Sequence, residues 1–262
     1  MPAVYRDFAE TFYCGCSITW TGGPSGRPDL QSCGYTVRKQ LVRANRIEWE
    51  HVVAAHTFGQ QLPCWRSGGR DNCTANDPLF RAMEADMHNL VPAVGEVNGD
   101  RSNFRFGVLP STPYQHGRCP VKIDFQQRAI EPRPEIRGDI ARINFYMYDH
   151  YGLKLSRQQQ QLFLAWNRED PVSKWELMRN ERIARVMGQS NPYVTGLKQW
   201  QLGKGGVAAM PEVAAALKTQ SIPASIRGNR NSRVYHLPVG CPSYNAMKSS
   251  NIVEFDSEQQ AV

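Results

Sequence analysis

An acidic residue and a histidine stand next to each other at Glu50 and His51, within the apolar and β-prone stretch from Arg46 to Gly59. Neighbouring side chains on a strand face opposite ways, but at the end of a strand both can reach one site. The sequence therefore indicates a place where a carboxylate and an imidazole act together.

Hydrolysis of a phosphodiester needs a base that deprotonates water, a cation that holds phosphate oxygens, and donors for the developing charge. Glu50, His51, Asn98 and Arg70 are residues of the required types. A histidine with its ordinary pKa of about 6.5 is mostly neutral at physiological pH and can accept a proton. Mg²⁺ prefers oxygen ligands, which the Glu50 carboxylate and the Asn98 amide offer. Residue types alone leave a structural, hydrogen-bonding histidine as the alternative.

A zinc protease of the zincin type is disfavoured by the spacing of the histidines. Such a site needs the pattern His-Glu-x-x-His, which places both histidines on one helix face. Here the order is Glu50-His51, and His56 follows His51 by five positions. We therefore do not expect a zinc hydrolase.

The composition of the chain predicts a folded protein that suits a polyanionic partner. The chain has 262 residues with 41% hydrophobic content, enough for one full domain and a smaller appendage. Lysine and arginine number 31 against 24 acidic residues, which gives a formal charge of +7. Nucleic acid fits that charge, although solubility alone is the alternative. No window contains the ~18 apolar residues that a membrane span requires.

Cysteine usage favours disulfides, because six of the seven cysteines lie in the first 120 residues without a zinc-type CxxC pair. The candidates are Cys14, Cys16, Cys33, Cys64, Cys73 and Cys119. Cys64 and Cys73 are the most local pair, and the pairing of the other four stays open. We expect three disulfides, an unpaired Cys241 and an oxidising compartment. No signal peptide precedes Pro2, so we expect a mature or trimmed form with an added Met1.

The elements around the site are expected to be mostly helical. Leu79, Met83, Met87 and Leu90 recur at helical spacing, with Asp77 as N-cap and Pro78 in the first turn, so we predict a helix from Ala75 that ends near Pro92. A second short helix, from Ala93 to Gly99, would carry Glu96 and Asn98. Upstream, residues 12 to 20 predict a strand followed by a long turn.

Three apolar stripes in the second half predict core-facing helices. Ser156 and Ser173 are expected N-caps, and Gly188 an expected helix end. The stripes are formed by Ile136, Ile140, Ile143 and Met147, by Leu155, Leu162 and Trp166, and by Trp175, Met178 and Val186.

Several stretches occur in the order and spacing of a known family. They are Phe12-Tyr13-Cys14-Gly15-Cys16, Ile47-Glu48-Trp49-Glu50-His51-Val52-Val53, Met83-Glu84-Ala85-Asp86-Met87-His88-Asn89-Leu90, Gly95-Glu96-Val97-Asn98-Gly99-Asp100-Arg101 and Leu155-Ser156-Arg157-Gln158-Gln159. From residue 12 to about residue 194 the sequence resembles the bacterial endonuclease I family. The resemblance implies an α+β fold, with a mainly helical nuclease domain around a ββα-metal motif. It also implies a secreted or periplasmic enzyme that cuts DNA and RNA without sequence preference.

The resemblance assigns a role to each candidate residue of the site. It implies that His51 is the general base, that Glu50 and Asn98 are metal ligands, and that Arg70 contacts the scissile phosphate. It further implies one Mg²⁺ ion, with Ca²⁺ or Mn²⁺ as substitutes, and products with 5′-phosphates. A Cys64–Cys73 bridge would stiffen the loop that presents Arg70. From their proximity to the motifs, further backbone contacts are expected at Arg66, Arg101 and Arg105.

Other polar residues near the motifs are expected to be peripheral. We expect His88 and Asn89 to fix the site from behind. Glu84, Glu96 and Asp100 either support the site residues or are solvated, and solvent exposure is the default for such residues. His116 and His150 are expected on the surface or in turns. Two positions depart from the family pattern: Ala54 replaces the usual proline, and His56 an expected aromatic residue.

The amino-acid composition changes after Trp200, which predicts a nuclease domain over residues 1–200, a linker over 201–227 and a small C-terminal module over 228–262. Val234-Tyr235-His236 and Val253-Glu254-Phe255 predict a short strand or two. The tail resembles the start of a module that is appended to some secreted nucleases, and the resemblance implies an incomplete module.

Three functions remain as hypotheses from the sequence. The first is a Mg²⁺-dependent endonuclease for double- and single-stranded DNA and RNA, which we expect to act as a monomer. The second is an extracellular protein that binds nucleic acid without cutting it, suggested by the charge and by Ala54. The third is a binding module for the cell wall or for proteins, suggested only by the tail.

Overall fold

The structure is a computed structural model that describes residues 1–208, 226–230, 234–236 and 249–255. The chain divides into two compact units, Met1–Ala209 and Met210–Val262. In the first unit the strands are β1 (Ile18–Gly22), β2 (Ser25–Pro28), β3 (Ile47–His51), β4 (Leu90–Val94), β5 (Arg105–Phe106), β6 (Lys122–Asp124), β7 (Ala129–Glu131), β8 (Lys198–Gln201) and β9 (Gly205–Ala208). Its helices are α1 (Leu41–Ala44), α2 (Ala55–Gly59), α3 (Gly69–Asn76), α4 (Pro78–Ala85), α5 (Gly95–Arg101), α6 (Arg137–His150), α7 (Arg157–Glu169) and α8 (Lys174–Met187). This confirms the α+β class.

A two-stranded sheet followed by a helix lies at the centre of the first unit. Strands β3 and β4 pair antiparallel, with Glu50 opposite Val91 and His51 opposite Leu90. Helix α5 begins at Gly95, directly after β4. The long chain between β3 and β4 contains α2, α3 and α4, so distant residues return to one sheet. The structure thus contains the ββα arrangement that the family resemblance implied.

The small sheets of the first unit are separate from one another. The pairs β1–β2 and β8–β9 are antiparallel hairpins, and the third sheet has the order β5-β7-β6. A common core of buried residues extends from the disulfide-linked cysteines to α6 and α7, where Ile140, Phe145 and Trp166 are almost fully buried. No helix among the described residues is long and apolar enough to cross a membrane.

Most of the predicted helix boundaries are confirmed. Asp77 accepts a hydrogen bond from the Phe80 N–H, and Ser156 and Ser173 cap α7 and α8 in the same way. Gly188 ends α8 with φ 77°, a left-handed conformation that glycine adopts without steric cost. The predicted stripe on α8 is too long, because Val186 is 68% exposed and Ile183 is buried instead.

The single helix predicted from Ala75 towards Pro92 is wrong. Asp77 and Asp86 each adopt an extended conformation and cap a new helical segment, so the region divides into α3, α4 and a 3₁₀ turn at Met87–Asn89. Pro92 lies inside β4 opposite Trp49, and its carbonyl accepts a hydrogen bond from the Phe12 N–H. The two aspartate caps separate the helical segments that hydrophobic periodicity joins.

The predicted strand over residues 12 to 20 is shorter than expected, since β1 begins at Ile18 and residues 12–14 form a turn. Gly15, with φ 69°, sits in that turn, and the Thr11 hydroxyl accepts a hydrogen bond from the Cys16 N–H. The turn lets the neighbouring cysteines reach different partners. The disulfides are Cys14–Cys119, Cys16–Cys33 and Cys64–Cys73, which confirms the expected number.

The second unit contains a three-stranded sheet in the order β11-β10-β12, formed by β10 (Ile226–Asn229), β11 (Val234–His236) and β12 (Ile252–Phe255). The strands predicted at Val234-Tyr235-His236 and Val253-Glu254-Phe255 are present as β11 and β12, whereas β10, which pairs with both, was not expected. The predicted boundary after residue 200 falls inside the β8–β9 hairpin. Cys241, predicted to be unpaired, lies outside the described residues.

Candidate active site

An open cleft of about 640 Å³ lies beside the ββα arrangement and brings the predicted site residues together. Glu50 and His51 reach it from the end of β3, Asn98 from α5 and Arg70 from α3. Its wall is formed by Arg43, Glu48, Trp49, Glu50, His51, Ala54, Ala55, His56, Trp65, Arg70, Asn98, Gly99, Arg101, Ser102 and Asn103.

Glu50 is 3% exposed, and one of its carboxylate oxygens is already held by the protein. Oε1 accepts hydrogen bonds from Arg101 Nη1 at 2.7 Å and from the Tyr13 hydroxyl at 3.2 Å. Burial raises the pKa of Glu50 to about 7, although Arg101 and Tyr13 act in the opposite direction. A cation in the cleft would favour the ionised carboxylate.

His51 is oriented by a hydrogen bond that identifies its free ring nitrogen. Nε2 lies 2.9 Å from the backbone carbonyl oxygen of Glu84. A carbonyl only accepts, so the neutral ring donates its proton from Nε2 and leaves Nδ1 with a lone pair. Burial lowers the pKa of His51, which favours that neutral form. His51 is therefore prepared to accept a proton at Nδ1.

Asn98 is held in one orientation by Glu48. The amide Nδ2 donates to Glu48 Oε2 at 2.9 Å, which leaves the amide oxygen Oδ1 available. Glu48 in turn pairs with Arg43 and Arg46, and these bonds lower its pKa against the effect of burial. The amide orientation thus depends on a carboxylate that is kept ionised.

Arg70 stands at the start of α3 with more than half of its side chain exposed. Its Nε donates to Glu84 Oε1 at 2.7 Å. The Cys64–Cys73 disulfide joins the preceding 3₁₀ turn to α3, and Asn72 Nδ2 donates to the Cys64 carbonyl at 2.7 Å. This covalent bridge supports the loop that carries Arg70.

Arg101 does not lie on the surface, contrary to the expectation of a nucleic-acid contact. It is 3% exposed, and its guanidinium donates to Glu50, to the His51 carbonyl and to the Val52 carbonyl. The geometry instead fits a residue that holds the end of β3 in place. Arg66 and Arg105 are exposed but do not line the cleft.

Buried polar residues support the cleft from behind, and some were expected on the surface. Asn89 holds both the N–H and the carbonyl of Val53 through its side-chain amide. Glu96 and Asp100 are at most 5% exposed, so the default of solvent exposure is wrong for both, and His116 lies buried in a bend rather than on the surface. His116 Nε2 lies 2.9 Å from Asp100 Oδ2, which ties α5 to the chain that precedes β6.

Comparison with known proteins identifies the family to which the chain belongs. The Endonuclease I family model matches residues 3–197. The chain belongs to the endonuclease I family.

Relatives agree with that membership. An extracellular deoxyribonuclease of Aeromonas hydrophila is 52% identical over 192 residues, which cover 73% of this chain and 84% of the relative. A periplasmic deoxyribonuclease of the same organism is 50% identical and covers 73% and 80%. An extracellular ribonuclease of Bacillus subtilis (strain 168) is 30% identical over 127 residues, with 42% and 43% covered. This endonuclease I family member is thus a nuclease, a hydrolase of secreted or periplasmic type.

The residues of this endonuclease I site fit a hard divalent cation. In both Glu50 and Asn98 one polar atom is bound by the protein, while Glu50 Oε2 and Asn98 Oδ1 have no hydrogen-bond partner among the described residues. Two oxygens on one cleft are the donors that Mg²⁺ prefers. No group of three or more His, Cys, Asp or Glu residues suited to a metal occurs in the described part of the chain. One carboxylate and one amide would leave the remaining positions to water and phosphate.

The two departures from the family pattern do not disturb the cleft. Ala54 precedes α2 with φ −57° and ψ 142°, a conformation that proline also adopts. The His56 ring packs edge-on against Trp65 with 5.6 Å between ring centroids, as an aromatic residue would. Neither residue is one of the two proposed metal ligands.

Sequence reasoning missed Tyr13, Glu48 and Arg43, and assigned Arg101 a wrong environment. Tyr13 and Glu48 lie inside stretches that carry the resemblance, so their positions were marked but their roles were not. Arg43 has no motif of its own. Its role follows from α1 packing on α5, which no local pattern encodes.

Proposed function

We propose that this protein hydrolyses phosphodiester bonds of DNA and RNA with one bound Mg²⁺ and with His51 as general base. The observation that carries the proposal is the orientation of His51, whose Nε2–H is used by the Glu84 carbonyl in the same cleft as the free oxygens of Glu50 and Asn98. A neutral imidazole beside two oxygen donors is the combination that activates water next to a held phosphate.

His51 Nδ1 takes a proton from water, and the water oxygen forms a bond to phosphorus. The bond from phosphorus to the 3′ oxygen then breaks and that oxygen takes a proton from solvent water, which gives 5′-phosphate and 3′-hydroxyl ends. Glu50 and Asn98 hold the cation, and Arg70 donates to the phosphate oxygens. When bound, the cation polarises the phosphate and stabilises the leaving oxygen.

The proposed substrates include double- and single-stranded DNA and RNA. Arg66, Arg70 and Arg105 are exposed and can contact phosphates, which carry no sequence information. The positive net charge supports binding to the backbone, and affinity should therefore fall with salt. The names of the relatives include both a deoxyribonuclease and a ribonuclease. We propose that the protein acts as a monomer.

Plasmid degradation tests this proposal. With Mg²⁺ the parent chain should degrade supercoiled plasmid and RNA, and a chelator should stop both reactions. His51→Ala should lower the rate by about 10²-fold to 10⁴-fold, the contribution of a general base. Mn²⁺ or Ca²⁺ added after chelation measures metal substitution, and 5′-end analysis of the products checks the proposed bond cleavage.

A His51→Ala chain that cuts as fast as the parent would refute the assigned mechanism. Plasmid that is bound but stays supercoiled under all metals would favour a protein that binds nucleic acid without cutting it.

A further inference from the structure

Two large apolar side chains stand exposed next to each other on α1. Leu41 is 61% exposed and Val42 is 79% exposed. A single exposed apolar residue is ordinary on any protein surface, whereas contiguous exposed apolar surface marks interaction sites. The other large exposed hydrophobic residues in the described part of the chain are isolated in sequence: Leu79, Val108, Tyr114, Phe125, Val186 and Leu197.

The apolar pair directly precedes Arg43 of the cleft wall, within a segment rich in cationic residues (residues 39–46, the rim). Arg43, the residue after Val42, lines the cleft itself. Lys39 is exposed, and the Arg46 side chain is 55% exposed. Arg43 and Arg46 share one carboxylate, Glu48, so this rim keeps a positive net charge. A polyanion is attracted to such a rim, and an uncharged protein surface is not.

The segment that carries the pair is mounted rigidly on α5. The Glu96 carboxylate accepts the backbone N–H groups of Arg38, Lys39 and Gln40 at 3.1, 2.6 and 2.6 Å. A Cβ on Gly95 would lie 2.6 Å from the Arg43 carbonyl oxygen, so only glycine permits this approach. Because α5 also carries Asn98, the apolar pair has a fixed position relative to the candidate metal site.

We propose that Leu41 and Val42 form an apolar wedge that enters the minor groove of duplex nucleic acid beside the scissile phosphate. Apolar wedges partly unstack a base step and bend the duplex, and the flanking cations would hold the phosphates on either side. Such contacts read no hydrogen-bond pattern, which suits a non-specific nuclease. They favour flexible pyrimidine–purine steps, because these unstack most easily.

This inference rests on the proposed function, and a binding measurement tests it without cleavage. In the His51→Ala chain, a duplex labelled with 2-aminopurine should gain fluorescence on binding, since unstacking relieves quenching. Leu41→Ala with Val42→Ala removes the wedge and keeps helix propensity. The fluorescence gain should be lost in that variant, and in the otherwise unaltered chain the ratio of duplex to single-strand cleavage should fall about tenfold.

Val186→Ala is the matched control, because Val186 is an exposed apolar residue on α8. It should change neither the fluorescence gain nor the cleavage ratio. An unchanged gain in the double variant, equal losses on duplex and single strand, or the same loss in the control would each overturn the wedge. A parent chain that unstacks the duplex but cuts nothing would instead refute the proposed function alone.

Discussion

Glu84 contacts both His51 and Arg70, the general base and the phosphate contact of the proposed mechanism. Its backbone carbonyl accepts the His51 Nε2–H, while its carboxylate accepts Arg70 Nε and the Thr74 hydroxyl. The backbone contact does not depend on the side chain of residue 84. A substitution of the Glu84 side chain therefore changes the charge beside Arg70 and keeps the carbonyl that orients His51.

Glu84→Gln should lower KM for DNA up to about fivefold, because an exposed ion pair is worth roughly 0.2–1 kcal/mol and its loss frees the positive charge of Arg70. kcat should change less than twofold, since the carbonyl that orients His51 remains. Steady-state cleavage of a short duplex measures both constants. Glu181→Gln removes a similar exposed pair with Arg185 on α8 and is the control. A tenfold fall in kcat at constant KM would mean that the carboxylate acts through His51.

At the scale of the elements, α2 shows how a departure from the family pattern is tolerated. Ala54 already has the backbone conformation of proline, and its N–H donates to no acceptor among the described residues. Replacing Ala54 by proline would therefore remove no hydrogen bond. A proline at residue 54 would therefore introduce no backbone strain into the folded protein, and its effect on stability would come from the unfolded state.

Ala54→Pro should raise the free energy of unfolding by about 0.4–1 kcal/mol, because proline restricts the unfolded chain. Urea unfolding followed by circular dichroism measures the change. Thr57→Pro is the contrasting variant, since the Thr57 N–H donates to the Ala54 carbonyl at 2.7 Å. That change should destabilise the protein by roughly 3 kcal/mol. A lower midpoint for Ala54→Pro would mean that the ring clashes with the wall of the cleft.

At the scale of the whole molecule, a buried histidine links folding to pH. His88 is 1% exposed, its Nε2 lies 3.0 Å from the Gln189 carbonyl oxygen, and its ring contacts Tyr146. Burial lowers the pKa of His88 to about 4, with Arg179 and His150 acting in the same direction and Asp86 against them. His88 therefore stays neutral in the folded protein well below pH 6.

As the pH falls from about 6.5 to about 4, the unfolded chain binds a proton at His88 that the folded protein does not. The stability from this group is thus full above pH 6.5 and is lost towards pH 4, by roughly 2–3 kcal/mol. Urea unfolding between pH 7 and pH 4.5 should show this slope, and His88→Gln should flatten it. His56→Gln, at an exposed position, is the control. Equal slopes in the parent and in His88→Gln would assign the acid sensitivity to other groups.

The local features of this protein could be predicted from its amino-acid sequence. Adjacent Glu50 and His51, the caps Asp77, Ser156 and Ser173, and the close pair Cys64–Cys73 are each encoded by neighbours along the chain. Backbone hydrogen bonding and short loops act over a few residues, so local patterns suffice to predict them. The ordered motifs then indicated the family and the α+β fold.

Which side chains face the cleft and which support it depends on contacts between distant parts of the chain. Glu96, Asn98 and Arg101 lie on the same short helix, yet Asn98 is only half-buried where it lines the cleft, Arg101 is buried in the cleft wall beside Glu50, and Glu96 does not line the cleft. The environment of Arg101 depends on β3, and that of Glu96 depends on the chain before α1. In both cases the partner is more than 45 residues away along the chain. Long-range docking, with the burial of charge that it imposes, has no signature in local sequence. It also fixed the orientation of His51 and the exposure of Leu41 and Val42.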